Sequence, residues 1–169
     1  IKSITIQTRQ ALSGAGWRLL FDEEALAGNV NPFIPGEEDK LIAELKHLLD
    51  LDIPVLASCN RVPEKDGHFV SCGVEVSNQT TIEEVRELMN IPTLRLPSSP
   101  REVNMIIDDS PNREDHLWNG RGMTTTVGNI RVEGNIIRFD ALSHNTVRGA
   151  AGGVILLAEF AVQESYITK

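Results

Sequence analysis

The sequence predicts an α+β fold, with a largely antiparallel or mixed sheet and helices packed on one face. Strand-like segments outnumber helical segments, and most strands are followed by a short turn of the kind that joins antiparallel neighbours. The chain has 169 residues, of which 41% are hydrophobic, enough to bury the core of one domain. We therefore expect a single domain over residues 1–169.

The first half of the chain predicts one strand and two helices. Residues 3–8 alternate as a strand does, and the glycines of the following SGAG permit a tight turn. From Gly36, the stretch GEEDKLIAELKHLLD begins with acidic residues and predicts a helix. Thr81 and Glu84 have the spacing of a capping box, which predicts a second helix. The apolar residues at helical spacing are Leu41, Ile42, Leu45, Leu48 and Leu49 in the first helix, and Ile82, Val85, Leu88 and Met89 in the second.

Turn residues predict two hairpins. Residues 54–62 and 69–76 are strand-like and flank an Asp-Gly turn, and residues 124–132 and 136–142 flank Glu-Gly-Asn. Between these pairs lie a strand-like segment at 103–107 and a polar loop at 108–122, which we expect to order only against another surface. A last helix is expected over residues 145–160.

Composition excludes several classes of function. Sixteen Lys and Arg against 24 Asp and Glu give a net charge of −8, which disfavours nucleic acid as a partner. The longest apolar run is too short to span a membrane. Cys59 and Cys72 lack the paired spacing of a zinc site or a disulfide framework, so we predict no metal and a reducing, cytoplasmic location.

Arg61 and His68 are the first candidates for chemistry, because the predicted hairpin would bring them to one end of the sheet. An imidazole transfers protons near neutral pH, and a guanidinium binds a carboxylate or phosphate with two hydrogen bonds. The alternative, two solvated residues beside a turn, is the commoner outcome for this spacing. Cys59 shares a face with Arg61, but its apolar surroundings favour a buried packing residue over a nucleophile.

Three further polar residues have two interpretations each. Glu37 and Lys40 lie on one face of the predicted helix, as an ordinary surface pair or as part of an anion site near the helix N-terminus. Gln10 lies at a strand end, where its amide could orient a substrate or bind the turn. Spacing alone does not separate these alternatives.

Five stretches in order, QALSGAG, GNVNPFIPGEEDK, CNRVPEKDGH, GMTTTVGNIR and ALSHNTVRGAAGG, cover almost the whole chain. Together they resemble the C-terminal half of aspartate-semialdehyde dehydrogenase, in its archaeal and fungal branch. The resemblance implies an NADP-dependent reaction that interconverts aspartyl 4-phosphate with aspartate 4-semialdehyde and phosphate. That reaction leads to lysine, methionine and threonine.

The resemblance also implies roles for individual residues. His68 would be the acid/base that serves a cysteine thiolate, and Gln10 would orient the acyl group on that cysteine. Arg61 would bind the substrate carboxylate. Glu37 would accept the substrate ammonium, and Lys40 would bind phosphate. Asn145 would lie near the nicotinamide of NADP.

The family's nucleophilic cysteine motif and dinucleotide loop do not occur in these 169 residues. The resemblance therefore implies a substrate-binding and dimerisation domain that is inactive alone and forms a homodimer or homotetramer. The helix at 145–160 would pack on an absent N-terminal NADP-binding domain.

Two alternatives stay open from the sequence. Relatives of this family reduce malonyl-CoA or N-acetylglutamyl phosphate, and a non-catalytic dimerisation module would retain His68 and Arg61 as remnants. The discriminating feature is whether His68, Arg61 and Gln10 converge on one cleft.

Overall fold

The computed structural model describes residues 1–167 and contains one six-stranded sheet. The strands are β1 (Ser3–Gln10), β2 (Val55–Arg61), β3 (His68–Glu75), β4 (Asn104–Ile106), β5 (Thr125–Glu133) and β6 (Ile136–Ser143). The helices are α1 (Trp17–Leu20), α2 (Glu23–Ala27), α3 (Glu37–Leu49), α4 (Ile82–Met89), α5 (Arg113–His116) and α6 (Gly152–Gln163).

The sheet is mixed, with strand order β2-β1-β3-β6-β5-β4. The β1/β2 and β4/β5 pairs are parallel, and the three remaining pairs are antiparallel. This arrangement confirms the predicted α+β class with a mixed sheet.

Helix α3, which lies between β1 and β2, and helix α4, which follows β3, cover the same face of the sheet. Ile4 of β1 is paired directly with Val55 of β2 on one side and with Val74 of β3 on the other. Val74 is in turn paired with Ile137 of β6, so the four side chains share a face. Ile137 packs against the cluster that includes α4, and Val55 and Ile4 are buried near α3. Leu56, on the other face, is 70% exposed.

The predicted hairpin between residues 54–62 and 69–76 is wrong. β2 and β3 both form, but β1 lies between them, parallel to β2 and antiparallel to β3. The connection from β1 to β2 passes through α3, as parallel neighbours require a crossover. The end of β2 and the start of β3 nevertheless meet at the same edge, on either side of the end of β1.

The second predicted hairpin is confirmed, since β5 and β6 pair around Gly134, whose φ is +64°. The capping box is also present, because the Thr81 side chain accepts from the Glu84 amide and the Glu84 carboxylate accepts from the Thr81 amide. In α4, Val85 packs with Val127 and Ile130.

Some predicted apolar faces and helix bounds differ from the structure. Leu48 and Leu88 are 78% and 81% exposed, so they lie outside the buried faces of α3 and α4. The last helix begins with a π-helical turn, Val147–Ala151, and continues as α6 to Gln163, slightly later than the predicted 145–160.

α6 presents much of its apolar surface to solvent. Val154, Ile155 and Leu157 are 55–66% exposed, whereas Leu156 is buried. Within residues 1–167, no helix is both long enough and apolar enough to cross a membrane. The exposed side chains of α6 form an apolar surface patch.

Candidate active site

Three neighbouring strands bring Gln10, Arg61 and His68 to one edge of the sheet. Gln10 ends β1, Arg61 ends β2 and His68 begins β3. Gln10 lies directly opposite Arg61 on one side and directly opposite His68 on the other. Because directly paired residues point to the same face, the amide, the guanidinium and the imidazole lie together.

These three side chains line a cleft of about 540 Å³. The first turn of α3 contributes Glu37 and Lys40, and the segment after β6 contributes Asn145. The cleft therefore brings together all six residues for which the sequence predicted a role.

Glu37 connects the helix to the strand edge. Its carboxylate accepts a hydrogen bond from Gln10 Nε2 at 3.2 Å, and its Oε1 lies 3.8 Å from Lys40 Nζ. The Lys40 side chain is 60% exposed and that of Glu37 is 33% exposed, so this ion pair contributes little to stability. Its importance is that an acid and an ammonium lie side by side at the cleft.

Arg61 is held in place by the loop after β1. Its Nη1 donates to the Ala11 carbonyl at 2.8 Å. A Cβ at Gly14 would lie 3.0 Å from the same Nη1, so a glycine there leaves room for the guanidinium. Burial lowers the pKa of Arg61, and Glu37 opposes that change. The guanidinium of arginine is protonated in proteins, so Arg61 presents a positive charge at the cleft, held by its contact with Ala11.

The surroundings of His68 favour the uncharged form of its imidazole. Burial of the ring lowers its pKa below 6.5, and Arg61 lowers it further, whereas Glu37 raises it and Arg113 lowers it. An uncharged imidazole can accept a proton, as a general base must.

Asn145 joins the two loops that flank the cleft. Its Oδ1 accepts from the Gly67 amide at 2.8 Å, and its Nδ2 donates to Ser13 Oγ at 2.8 Å. The sequence did not predict this bridge, because the partners are 78 and 132 residues away in the chain. The predicted contact between Asn145 and a nicotinamide stays a prediction.

The two cysteines have the properties of packing residues. Cys59 is fully buried, and burial raises the pKa of its thiol. Burial also raises the pKa of Cys72, to about 11. Thiols in such surroundings are protonated and unreactive at neutral pH.

No role was predicted from the sequence for Arg113, which lies in the polar loop at 108–122. Its Nε donates to the Asp66 carbonyl at 3.3 Å, next to His68. This part of the polar loop thus contacts the turn before His68 in the same chain.

Comparison with known proteins supports a family assignment. The family model described as the semialdehyde dehydrogenase dimerisation domain matches residues 1–148. Aspartate-semialdehyde dehydrogenase of Archaeoglobus fulgidus is 39% identical over 99% of this chain and 52% of the relative. Malonyl CoA reductase (NADP) of Metallosphaera sedula is 30% identical over 100% of this chain and 53% of the relative.

A solved structure supports the same family assignment. The crystal structure of aspartate semialdehyde dehydrogenase with NADP from Candida albicans is 30% identical and has a TM-score of 0.79. The match covers 99% of this chain and 52% of that chain. The present chain spans about half the length of the relatives that it matches. It belongs to the semialdehyde dehydrogenase dimerisation-domain family.

Proposed function

We propose that this chain is the substrate-binding and acid/base half of an NADP-dependent aspartate-semialdehyde dehydrogenase. The reaction interconverts aspartyl 4-phosphate with aspartate 4-semialdehyde and phosphate, through a thioester on a cysteine outside this chain. The observation that supports this proposal most strongly is the convergence of His68, Gln10 and Arg61 with Glu37 and Lys40 on one cleft. A non-catalytic module would not require that arrangement.

The charges around the cleft complement the proposed substrates. Aspartate semialdehyde carries an α-carboxylate and an α-ammonium, and its co-substrate is phosphate. Arg61 would bind the carboxylate through two parallel hydrogen bonds, and Glu37 would accept the ammonium. Lys40 would attract the phosphate, which approaches as a separate anion. Each charged group of the substrates thus has an opposite charge at the cleft.

His68 would move the protons of the reaction. As the cysteine sulfur bonds to the aldehyde carbon, the imidazole takes the thiol proton and passes it to the developing alkoxide oxygen. It takes that proton again when hydride leaves the carbon and the thioester forms. Phosphate then attacks the thioester carbon, and the thiolate leaves. Gln10 would hold the acyl oxygen through its amide and keep the carbon aligned for attack.

NADP is the proposed cofactor, and it supplies hydride acceptance when bound. A dinucleotide-binding half outside this chain would hold most of it. Two observations on this chain fit that arrangement: Asn145 lines the cleft, and the adjacent α6 exposes apolar side chains. We propose that α6 packs on the dinucleotide-binding half, and that the whole enzyme is a cytoplasmic homodimer or homotetramer.

The relative from Metallosphaera sedula makes malonyl-CoA a second candidate substrate. A CoA thioester has no α-ammonium and needs no inorganic phosphate, so it would not require an acid beside a lysine in this arrangement. We therefore favour aspartyl phosphate.

Lys40→Ala tests this choice in the complete polypeptide, meaning this chain joined to the proposed dinucleotide-binding half. We expect the KM for phosphate to rise about tenfold, since one largely exposed charge contact to the anion is lost. The KM for aspartate semialdehyde should change less than the KM for phosphate. Steady-state rates of semialdehyde oxidation, measured against phosphate concentration, give both constants.

Lys46→Ala is the matched control, because Lys46 lies on the same helix and binds Asp52 at 2.8 Å. It should leave both constants unchanged. An unchanged KM for phosphate in Lys40→Ala would contradict the assigned role.

A further inference from the structure

We propose that Arg113 is a positioning residue for His68, acting with Asn145 to fix the Asp66–Gly67 peptide group in the turn that leads into the histidine. This inference rests on the proposed acid/base function of His68. The carbonyl of Asp66 and the amide of Gly67 belong to one peptide group. Arg113 Nε donates to that carbonyl at 3.3 Å, and Asn145 Oδ1 accepts from that amide at 2.8 Å.

The two side chains hold the peptide from opposite sides. In a trans peptide the C=O and N–H bonds point in opposite directions, so neither contact replaces the other. A rotation of this peptide plane would break both contacts and would change the backbone angles of Asp66 and Gly67, the two residues before His68. The pair therefore fixes the turn that leads into β3, which begins at His68.

The backbone of this turn is also attached to the loop that follows Gln10. The amides of Ala11, Leu12 and Ser13 donate to the carbonyls of residues 67, 64 and 65, at 3.1, 2.8 and 3.0 Å. The loop beside Gln10 and the turn before His68 thus form one hydrogen-bonded unit. Arg113 adds a third segment, α5, to that unit.

Gly67 is shaped for this contact. Its φ of +109° disfavours other residues, and a Cβ would lie 3.1 Å from Arg113 Nε and 3.2 Å from Leu117 Cδ1. The turn therefore packs closely on α5 because residue 67 has no side chain.

Burying an arginine at position 113 has a free-energy cost that packing alone does not offset. Its Nη2 is buried and has no hydrogen-bond partner among residues 1–167. Burial lowers the pKa of Arg113, whereas nearby Glu64 favours the charged form. An apolar residue would avoid this desolvation cost, whereas the arginine supplies a donor to the Asp66 carbonyl and a positive charge.

That charge lies close enough to His68 to lower the pKa of the imidazole. The charged groups near the imidazole are Arg61 from β2, Glu37 from α3 and Arg113 from α5. Arg113 is the weakest of these influences, and it favours the uncharged ring that a general base requires. Its main effect is therefore on geometry, with a smaller effect on protonation.

The test uses NMR on this chain, with Arg113→Met, Arg113→Lys and the control Arg95→Ala. Met retains most of the aliphatic stem and loses the charge and the donors, whereas Lys retains the charge and loses Nε. We expect Arg113→Met to raise the pKa of the His68 imidazole and to speed hydrogen exchange of the Gly67 amide about tenfold or more. Arg113→Lys should speed that exchange with little change in the pKa of His68. Arg95 is exposed in the loop after α4, and its replacement should change neither.

The proposal would be overturned if the Gly67 amide of Arg113→Lys exchanged at the wild-type rate. It would also be overturned if Arg113→Met kept both the wild-type exchange rate of that amide and the wild-type pKa of His68. If the Met variant does not fold, the Lys variant decides alone, since its expected result needs no loss of charge.

Activity separates this inference from the proposed function. In the complete polypeptide, Arg113→Met should lower kcat about tenfold to a hundredfold, because a misplaced base acts poorly. The KM values for semialdehyde and phosphate should stay within about twofold, since Arg113 does not line the cleft. Faster Gly67 exchange with an unchanged kcat would contradict the positioning of His68 by Arg113, whereas the acid/base role of His68 is tested separately by replacing His68 itself.

Discussion

Replacing His68 by glutamine should lower kcat for semialdehyde oxidation about 100- to 10,000-fold, the range typical for loss of a general acid/base. Glutamine approximates the size of the imidazole and can form hydrogen bonds, but it does not transfer protons. The KM for aspartate semialdehyde should change little, because Arg61 and Glu37 would still bind its charged groups. Steady-state rates of the complete polypeptide, measured by NADPH formation, give both constants.

The pH dependence adds a second readout for His68. A base must be uncharged, and burial together with Arg61 lowers the pKa of His68 below 6.5. Oxidation by the wild-type enzyme should therefore persist below pH 6.5 and fall only as the pH drops through this lowered pKa. His68→Gln should remove that limb. His47→Gln, on the exposed side of α3, is the control and should retain it. A wild-type rate in His68→Gln would exclude His68 as the base.

Arg61→Ala should reduce kcat/KM for aspartate semialdehyde about 30- to 1000-fold, corresponding to about 2–4 kcal/mol for a buried charge contact. The reason is that Ala11 already holds Nη1 at 2.8 Å, so the guanidinium is oriented before the substrate binds. Removing it should leave the substrate carboxylate without a partner in a partly enclosed cleft. The reduction in kcat/KM should come mainly from a higher KM, which is measured from rates at several semialdehyde concentrations.

Arg61→Lys separates charge from geometry at the same position. Lysine keeps the charge but not the planar pair of donors, so it should recover only part of the loss. The exposed Arg95→Lys is the matched control and should behave as wild type. Full recovery by Arg61→Lys would contradict two-point binding of the carboxylate.

Local patterns predicted the elements of this fold better than their pairing. The helical spacing from Gly36, the capping box at Thr81 and the turn at Gly134 each involve residues close in sequence, and each is present. The first hairpin was wrong because an Asp-Gly turn does not show that a third strand lies between its neighbours. β1 supplies that strand from more than forty residues upstream.

The candidate site was predictable where motifs carried it. The resemblance gave roles to His68, Gln10 and Arg61, and the structure brings their side chains to one cleft. The supporting contacts were not predictable. Arg113 reaches Asp66 across 47 residues, and nothing in the stretch PNREDH distinguishes its arginine from a solvated one.

The location of the covalent intermediate is the most direct measurement of the proposed division of labour. The complete polypeptide would be incubated with aspartate semialdehyde and NADP without phosphate, so that the thioester accumulates, and the acylated cysteine would be mapped by peptide mass spectrometry. We expect the adduct on a cysteine outside these 169 residues, since burial keeps Cys59 and Cys72 protonated. An adduct on Cys59 or Cys72 would contradict the assignment of this chain as the half that supplies the acid/base and not the nucleophile.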